Sequence, residues 1–240
     1  MVPRGGRDHK GRSTMSVGAW NSPPAAFQPM WDDPLILLPR RRPQNYTKDE
    51  TVYVPEDPAQ SLFLVVSGTV KLSRIAENGR ETVLDFCPRD SFFGESCLVG
   101  ASYRGEMAVA MEDSLLMHWS TRELGEIFQR TPELGPALLR VLAKKIVEAD
   151  SRIESLAIDQ ISQRLIKALL RLGERFGEPT DTSEIHIMPI THELLARYVG
   201  TSREIITQHM SQLRRQGLVK YSRSGMEFNP AELSKNLTVS

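Results

Sequence analysis

The sequence predicts an α+β fold: an N-terminal β-roll of the jelly-roll type, one long helix and a C-terminal winged helix-turn-helix. Short segments rich in β-branched and aromatic residues, separated by turn residues, extend from Tyr46 to Trp119. Apolar residues then recur in alternating steps of four and three between Leu142 and Leu156, which is typical of a helix with one apolar seam. Two helical patterns meet at Gly200 and precede a hairpin pattern, which is the order of a winged helix-turn-helix.

The composition is that of a folded chain without a membrane span. Of 240 residues, 40% are apolar, and 30 basic residues balance 30 acidic ones. A disordered chain has fewer apolar residues and a larger net charge. No apolar run approaches the roughly 20 residues of a transmembrane helix, and no signal-peptide pattern opens the chain. Because Cys87 and Cys97 do not make a disulfide framework, we expect a cytoplasmic protein with no membrane partner.

Charge is distributed unevenly along the chain. Residues 44–135 carry 8 Lys or Arg and 15 Asp or Glu, whereas residues 191–225 carry 6 and 2. A basic segment attracts polyanions and an acidic one does not, so the two regions are expected to have different roles. Residues 1–33 are rich in Gly, Pro, Arg and Ser without periodicity, and they predict a flexible tail.

Six segments predict the strands of the β-roll, within a domain that spans residues 34–132. Their β-branched and aromatic content is typical of strands, and they cover residues 51–54, 62–66, 69–72, 82–84, 107–111 and 115–119. Between the third and fourth segments, Asn78-Gly79 predicts a two-residue hairpin turn in which both residues have positive φ.

A long helix is predicted over residues 133–158, within a connecting segment of residues 133–159. Before it, Ser120 and Glu123 have the spacing of a capping box, which predicts a short helix that ends near Pro132. The apolar seam of the long helix predicts a parallel homodimer, so we interpret it as a dimerisation helix. The alternative is that this face packs on the chain's own β-roll. The seam consists of Leu142, Ile146, Ala149, Ile153 and Leu156.

The C-terminal domain is predicted over residues 160–240. Its first helix covers residues 160–176 and is expected to end at Gly177 in a left-handed C′ position. Farther along, the sequence predicts two strands, at residues 217–221 and 226–228. A tight turn joins them, and together they form the wing.

Two helices between these elements predict the helix-turn-helix. Thr191 caps the first and Gly200 breaks it, and Thr201 and Glu204 have the spacing of a capping box for the second. The polar face of the second helix has base-reading side chains near its start and cations near its end, as a helix in the major groove of double-stranded DNA requires. The predicted DNA-binding residues are Thr201, Ser202, Arg203, Glu204, Thr207, Gln208, Ser211, Arg214, Arg215 and Lys220.

This order of elements resembles the Crp/Fnr family of transcription regulators over about residues 35–230. Four segments of the sequence carry the resemblance: residues 66–72, 93–96, 110–114 and 201–204. The first three resemble family signatures of a sensory β-roll, and the fourth resembles the start of the family's recognition helix.

The resemblance implies a homodimer that binds a pseudo-palindromic DNA site and acts on RNA polymerase. Gln208 stands where the family's best-known members carry an arginine, so a contact to A·T is expected there. No nucleophile elbow, phosphate-binding loop or metal-ligand spacing is present, so we do not expect an enzyme or a metal site. Two alternatives stay open: a regulator controlled by its abundance alone, and a ligand-binding module that acts on a protein partner.

The resemblance also implies an effector pocket. Gly94 and Glu95 match the opening of the family's nucleotide-binding cassette, and Arg104 stands at the position of its phosphate-binding arginine. Gly105 replaces the family's hydroxyl residue, and Asp150 falls where adenine-reading residues stand. Glu95 and Arg104 have an alternative interpretation as a structural ion pair, and Asp150 as a solvated charge. The effector is therefore expected to be a cyclic nucleotide, another small molecule, or none. The tentative effector-binding residues are Gly94, Glu95, Ser96, Arg104, Gly105 and Asp150.

Overall fold

The computed structural model describes residues 33–237, so the tail predicted over residues 1–33 lies almost entirely outside the described residues. The described chain begins with a short helix, α1 (Pro34–Leu37), which Asp33 caps by accepting a hydrogen bond from the Leu35 N–H. No helix within residues 33–237 is long and apolar enough to cross a membrane.

Two antiparallel four-stranded sheets form the N-terminal β-roll. In spatial order, one sheet contains β1 (Gln44–Tyr46), β8 (Ser114–Ser120), β3 (Ser61–Ser67) and β6 (Phe92–Phe93). The other contains β2 (Thr51–Tyr53), β7 (Met107–Ala110), β4 (Val70–Ile75) and β5 (Glu81–Cys87). All six predicted strands are present; β1 and β6, which have three and two residues, were not predicted.

The hairpin between β4 and β5 forms as predicted, but its turn type was predicted wrongly. Only Gly79 has a positive φ, of 78°, and Asn78 does not. The Gly79 N–H donates to the Ala76 carbonyl at 2.8 Å, which closes a four-residue turn with Gly79 at its left-handed last position. The glycine is therefore the last residue of this four-residue turn and not one of the two residues of a two-residue turn.

Two helices follow the β-roll. The Ser120–Glu123 capping box is present at the start of α2 (Thr121–Arg130), where each side chain bonds the other residue's N–H. The long helix α3 (Leu134–Ile158) has the predicted extent to within one residue. Leu134 and Leu138 of α3 pack with Trp119 and Leu124, which joins the start of the long helix to the β-roll.

The C-terminal region contains four helices and a third antiparallel sheet. The helices are α4 (Ile161–Phe176), α5 (His192–Val199), α6 (Arg203–Arg215) and α7 (Pro230–Lys235). The sheet contains, in spatial order, β11 (Val219–Tyr221), β12 (Met226–Phe228), β10 (Ile185–Ile187) and β9 (Glu178–Pro179). The predicted wing corresponds to β11 and β12.

Two predicted helix termini differ from the structure. Gly177 ends α4 with φ −70° and ψ 119°, so it is extended and not left-handed. Ser202, and not Thr201, caps α6, because the Ser202 hydroxyl accepts the hydrogen bond from the Ile205 N–H; the Thr201 N–H belongs to the end of α5, where it donates to the Ala196 carbonyl. Glu204 consequently stands at the second helical position and closes no capping box.

Strand β5 belongs to two cores. Cys87 contributes to the interior of the β-roll, together with Phe63 and Phe93, whose rings stack 5.0 Å apart. Val83 and Phe86 of the same strand are buried among the C-terminal helices instead. This strand therefore connects the β-roll to the helix-turn-helix by shared burial of apolar surface.

Candidate functional site

The turn between α5 and α6 sets the angle of the helix-turn-helix. Gly200 has φ 80° and ψ 48°, and its N–H and that of Thr201 both donate to the Ala196 carbonyl. This left-handed termination, which glycine adopts without steric cost, ends α5 abruptly and allows α6 to start three residues later. Ile206, Met210 and Leu213 anchor α6 in the core, so its opposite face is directed outwards.

The predicted DNA-binding residues lie on this outward face and on the wing. Thr201 and Ser211 are half-buried, and the remaining eight are exposed: Ser202, Arg203, Glu204, Thr207, Gln208, Arg214, Arg215 and Lys220. Within the described residues, Arg203, Arg214 and Arg215 form no ion pair, whereas Lys220 holds both carboxylate oxygens of Glu184 at 2.8 and 2.9 Å. Three cations of the surface are therefore available to phosphates without a competing carboxylate.

His192, which the sequence analysis missed, supports the recognition helix. Its Nδ1 lies 3.0 Å from the Thr207 hydroxyl, which also donates to the Arg203 carbonyl at 2.8 Å. Its ring meets the Tyr221 ring edge-on at 5.2 Å, and the Arg214 guanidinium lies over the Tyr221 ring at 5.3 Å. Burial, and secondarily the charge of Arg203, lower the pKa of His192. The Thr207 hydroxyl is thus occupied by protein contacts.

A cavity of about 400 Å³ lies between β5, the 3₁₀ helix Glu95–Val99, α3 and α4. Of the predicted effector-binding residues, Glu95 and Ser96 line this cavity. Gly94, Arg104, Gly105 and Asp150 are not among its lining residues, and Asp150 is exposed on α3. The structure therefore brings together only two of the six residues around this cavity.

Arg104 lies in the wall of the β-roll and is only 5% exposed. Its Nη1 donates to the Gly94 carbonyl at 2.7 Å, and its Nη2 donates to the Ser61 carbonyl at 2.6 Å. The guanidinium also lies 4.5 Å above the centre of the Tyr53 ring. A Cβ at Gly94 would stand 2.8 Å from Nη1, so this close approach requires glycine.

Glu95 is paired with a lysine of the long helix. The Lys145 ammonium lies 2.9 Å from the Glu95 carboxylate and donates to the Phe92 carbonyl at 2.7 Å. Burial by itself would lower the pKa of Lys145, but the adjacent Glu95 carboxylate outweighs it and raises this pKa. The alternative of an ion pair between Glu95 and Arg104 does not describe this arrangement, since the partner of Glu95 is Lys145.

The seam residues of α3 are largely exposed in this single chain. Ile146 is 62% exposed, Ile153 65% and Leu156 54%; Ala149 is also exposed and Leu142 is half-buried. The alternative that this face packs on the chain's own β-roll does not fit these exposures. The exposed apolar surface extends to Leu139 and Val147 on the same helix.

The described residues offer little support for thiol reactivity or metal binding. Cys87 and Cys97 are buried free thiols, and burial raises the pKa of Cys87 to about 12, so its reactive thiolate form is rare. Among residues 33–237, no group of three or more His, Cys, Asp or Glu side chains is arranged to hold a metal ion.

Comparison with known proteins adds independent evidence. A cyclic nucleotide-binding domain model matches residues 43–131, and a Crp-like helix-turn-helix domain model matches residues 163–234. The chain is 30% identical over 198 residues to the Global nitrogen regulator of Synechococcus elongatus, covering 81% of this chain and 89% of the relative. It is 29% identical over 192 residues to the Cyclic AMP receptor protein of Thermus thermophilus, covering 80% and 86%.

Solved structures show the same fold. A Crp/Fnr-family transcriptional regulator from Thermus thermophilus matches with a TM-score of 0.68 at 26% identity, covering 81% of this chain and 97% of that structure. FixK2 from Bradyrhizobium japonicum matches in fold with a TM-score of 0.71 at 22% identity, covering 82% and 97%. The predicted fold class is confirmed, and the relatives are regulators rather than enzymes, as expected. The chain belongs to the Crp/Fnr family of DNA-binding transcription regulators.

Proposed function

We propose that this regulator is a homodimer that inserts one α6 per subunit into the major groove of a pseudo-palindromic DNA site. The observation that carries the proposal is the outward face of α6, on which Arg203, Arg214 and Arg215 are exposed and form no ion pair within the described residues. A two-fold dimer presents two such helices, so its half-sites lie about one helical turn apart.

The exposed seam of α3 supports the dimer. Ile146, Ile153 and Leu156 are each more than half exposed, and a monomer would leave this contiguous apolar surface in water. The whole seam, which also includes Leu142 and Ala149, has an alternating spacing of four and three residues that suits a parallel two-helix contact with a partner chain. In this organisation, residues 34–132 form the sensory domain, residues 133–159 the dimerisation segment and residues 160–240 the DNA-binding domain.

The chemistry of each side chain indicates which part of the DNA it contacts. Arg203 is suited to guanine O6 and N7, Glu204 to the cytosine amino group, and Gln208 to adenine N6 and N7. Thr201, Ser202 and Ser211 flank these bases, and Thr207 positions the helix through His192. The remaining cations hold phosphates without reading sequence: Arg214, Arg215 and Lys220.

The β-roll transmits the binding of a small effector to the DNA-binding domain. Support comes from the match to a cyclic nucleotide-binding domain and from relatives whose names include "Cyclic AMP receptor protein" and "CRP-like cAMP-activated global transcriptional regulator". The shared core at β5, where Val83 and Phe86 pack among the C-terminal helices, provides a mechanical connection. We further propose that the protein acts in the cytoplasm and contacts RNA polymerase once bound to DNA.

A selection from random DNA duplexes tests this function. The full chain is expected to recover a motif with two-fold symmetry, and an electrophoretic shift should weaken steeply as salt rises, because phosphate contacts release counterions. The matched control is the recovered duplex with one half-site scrambled, which should bind much more weakly. Recovery of a motif without two-fold symmetry, or binding that is insensitive to salt, would overturn the proposal.

A further inference from the structure

The proton of the Thr207 hydroxyl fixes the form of the neighbouring imidazole. This hydroxyl donates its only proton to the Arg203 carbonyl at 2.8 Å, so towards His192 it can only accept. The His192 Nδ1, which lies 3.0 Å from the same oxygen, is therefore the donor of that hydrogen bond. Because a neutral imidazole carries a single N–H, the Nε2 of neutral His192 has a lone pair and no proton.

The Nε2 atom of His192 is open to its surroundings. Within residues 33–237 it forms no hydrogen bond, and although the side chain is half-buried, Nε2 itself remains accessible to solvent. His192 is the first residue of α5, and its ring contacts Thr207 of α6 and the Tyr221 ring of the wing. A polar atom without a protein partner therefore lies where the start of α5, the recognition helix and the wing meet.

The charged groups around the ring oppose its protonation in the free protein. Burial, and secondarily the Arg203 guanidinium of α6, lower the pKa of His192 below 6.5. On the side of the wing, Tyr221 meets the ring edge-on, and the Arg214 guanidinium lies over the Tyr221 ring at 5.3 Å. The adjacent carboxylate on its own helix, Glu193, is held by an arginine one turn later on α5. The imidazole is therefore neutral at neutral pH, and its Nε2 is an acceptor.

A phosphate of DNA reverses this balance. Phosphate oxygens accept hydrogen bonds and donate none, so Nε2 can bond one only after it has gained a proton, and the phosphate charge favours the imidazolium. We propose that His192 contacts a phosphate of the DNA backbone through Nε2–H, and that each subunit takes up a proton from solvent as the complex forms. The proton adds to the Nε2 lone pair, Nδ1 keeps its bond to Thr207, and the ring becomes a cation. The inference rests on the proposed insertion of α6 into the major groove.

A base contact is the competing role for the same atom. A neutral Nε2 would accept from the amino group of cytosine or adenine, and protonation would remove that contact. The position of the histidine favours the phosphate, because it stands at the positive N-terminal end of α5, near Arg203. In helix-turn-helix complexes the first helix crosses the DNA backbone and the second enters the groove. The phosphate contact therefore fits both the charge around the ring and its place in the motif.

The dependence of DNA affinity on pH tests this contact. With the full chain and the selected duplex, we expect the affinity to rise about tenfold as the pH falls from about 8 to about 6, because the slope of log affinity against pH counts the protons taken up. Calorimetry in two buffers of different ionisation enthalpy counts the same protons. His192→Gln should lose both signals. The matched control His209→Gln removes a half-buried histidine of α6 that lines a separate cavity beside α4, and it should keep them.

A permanent cation at the same place provides the complementary variant. His192→Arg should bind the duplex at about pH 8 at least as tightly as the wild type and should take up no proton at this position, because a guanidinium is always charged. The proposal is overturned if His192→Gln retains the proton uptake of the wild type. It is also overturned if His192 contributes an affinity that rises with pH, which is the result that the base contact predicts.

The buffer comparison on the wild type separates this inference from the proposed function without any variant. Salt-dependent binding to the selected duplex with no proton uptake would overturn the role of His192 and leave the DNA-binding proposal intact. A wild-type protein that binds no duplex at any pH would overturn both.

Discussion

Arg197 of α5 forms an ion pair with Glu81, the first residue of β5, although the two residues lie 116 positions apart. The side chain of Glu81 is only 12% exposed and also accepts a hydrogen bond from the Lys71 ammonium at 2.6 Å. A groove beside this pair is lined by the hairpin residue Arg80 and by Arg203 and Glu204 of α6. The hairpin between β4 and β5 therefore lies next to the proposed base-reading residues.

Replacing this carboxylate should loosen the connection between the two domains. We expect Glu81→Gln to lower the free energy of unfolding by about 1–3 kcal/mol, because two cations lose their charged acceptor in a largely buried site. Urea unfolding measures the difference. The matched control Glu77→Gln changes an exposed residue of the same hairpin and should be nearly neutral; equal effects of both variants would contradict the role of the ion pair.

The same contact predicts a dependence on pH. Burial alone would raise the pKa of Glu81, but the hydrogen bond and charge of the Lys71 ammonium and the charge of Arg197 outweigh it and lower this pKa below 4.5. The stabilisation is therefore fully present above about pH 4.5 and is lost as the pH falls through the lowered value. The difference in free energy of unfolding between wild type and Glu81→Gln should shrink as the pH falls below about 4.5. A difference that stays constant over this range would contradict the prediction.

The apolar seam of α3 predicts a change of oligomeric state. Ile153→Asp places a charge in the centre of the proposed dimer seam, where burial of an unpaired charge costs several kcal/mol, so sedimentation should show monomers. Ser151→Asp introduces the same charge at an exposed position on another side of the helix and should leave the dimer intact. A wild-type protein that sediments as a monomer at micromolar concentration would refute the seam and the two-fold DNA site together.

Local sequence patterns predicted helices α2 to α6 and the outward face of α6, whereas α1 and α7 were not predicted. The Ser120–Glu123 capping box and the buried face of α6, with Ile206 and Met210, each depend on residues within one or two turns. Their energetics are set by neighbours in sequence, so periodicity alone reveals them. The two-residue strands β6 and β9 are too short to carry such a pattern.

The cavity between the β-roll and α3 was less predictable, because its contacts join distant parts of the chain. Nothing adjacent in sequence to Arg104 indicates that the Ser61 carbonyl, 43 residues away, occupies its guanidinium. Likewise, Lys145 meets Glu95 only because α3 packs beside the 3₁₀ helix. Such pairs follow from the packing of whole elements, and a family resemblance transfers residue positions without their partners.

Two cations of the DNA-binding surface should act differently on specificity. Arg203→Ala should cost about 1–3 kcal/mol of DNA binding and relax one base position, because a bidentate contact to guanine is lost. Lys220→Ala should weaken all duplexes alike and reduce the slope of log affinity against log salt by about 1. Binding measured on the selected site and its single-base variants resolves the two effects. An Arg203→Ala protein with unchanged base preference would show that α6 is not the reader.

Gln208 offers a directed change of specificity. It is exposed on the outward face of α6, one turn after Glu204, and its amide suits adenine N6 and N7. We expect Gln208→Arg to shift the preferred pair at one position of each half-site from A·T to G·C, because arginine matches guanine O6 and N7, with discrimination of about 1–3 kcal/mol. The matched control Gln216→Arg adds the same charge at the exposed end of the helix, beyond the proposed base contacts. It should raise affinity for every duplex without changing the recovered motif. Selection from random duplexes determines the motif that each variant prefers. An unchanged motif for Gln208→Arg would place this side chain outside the base-contacting part of the interface.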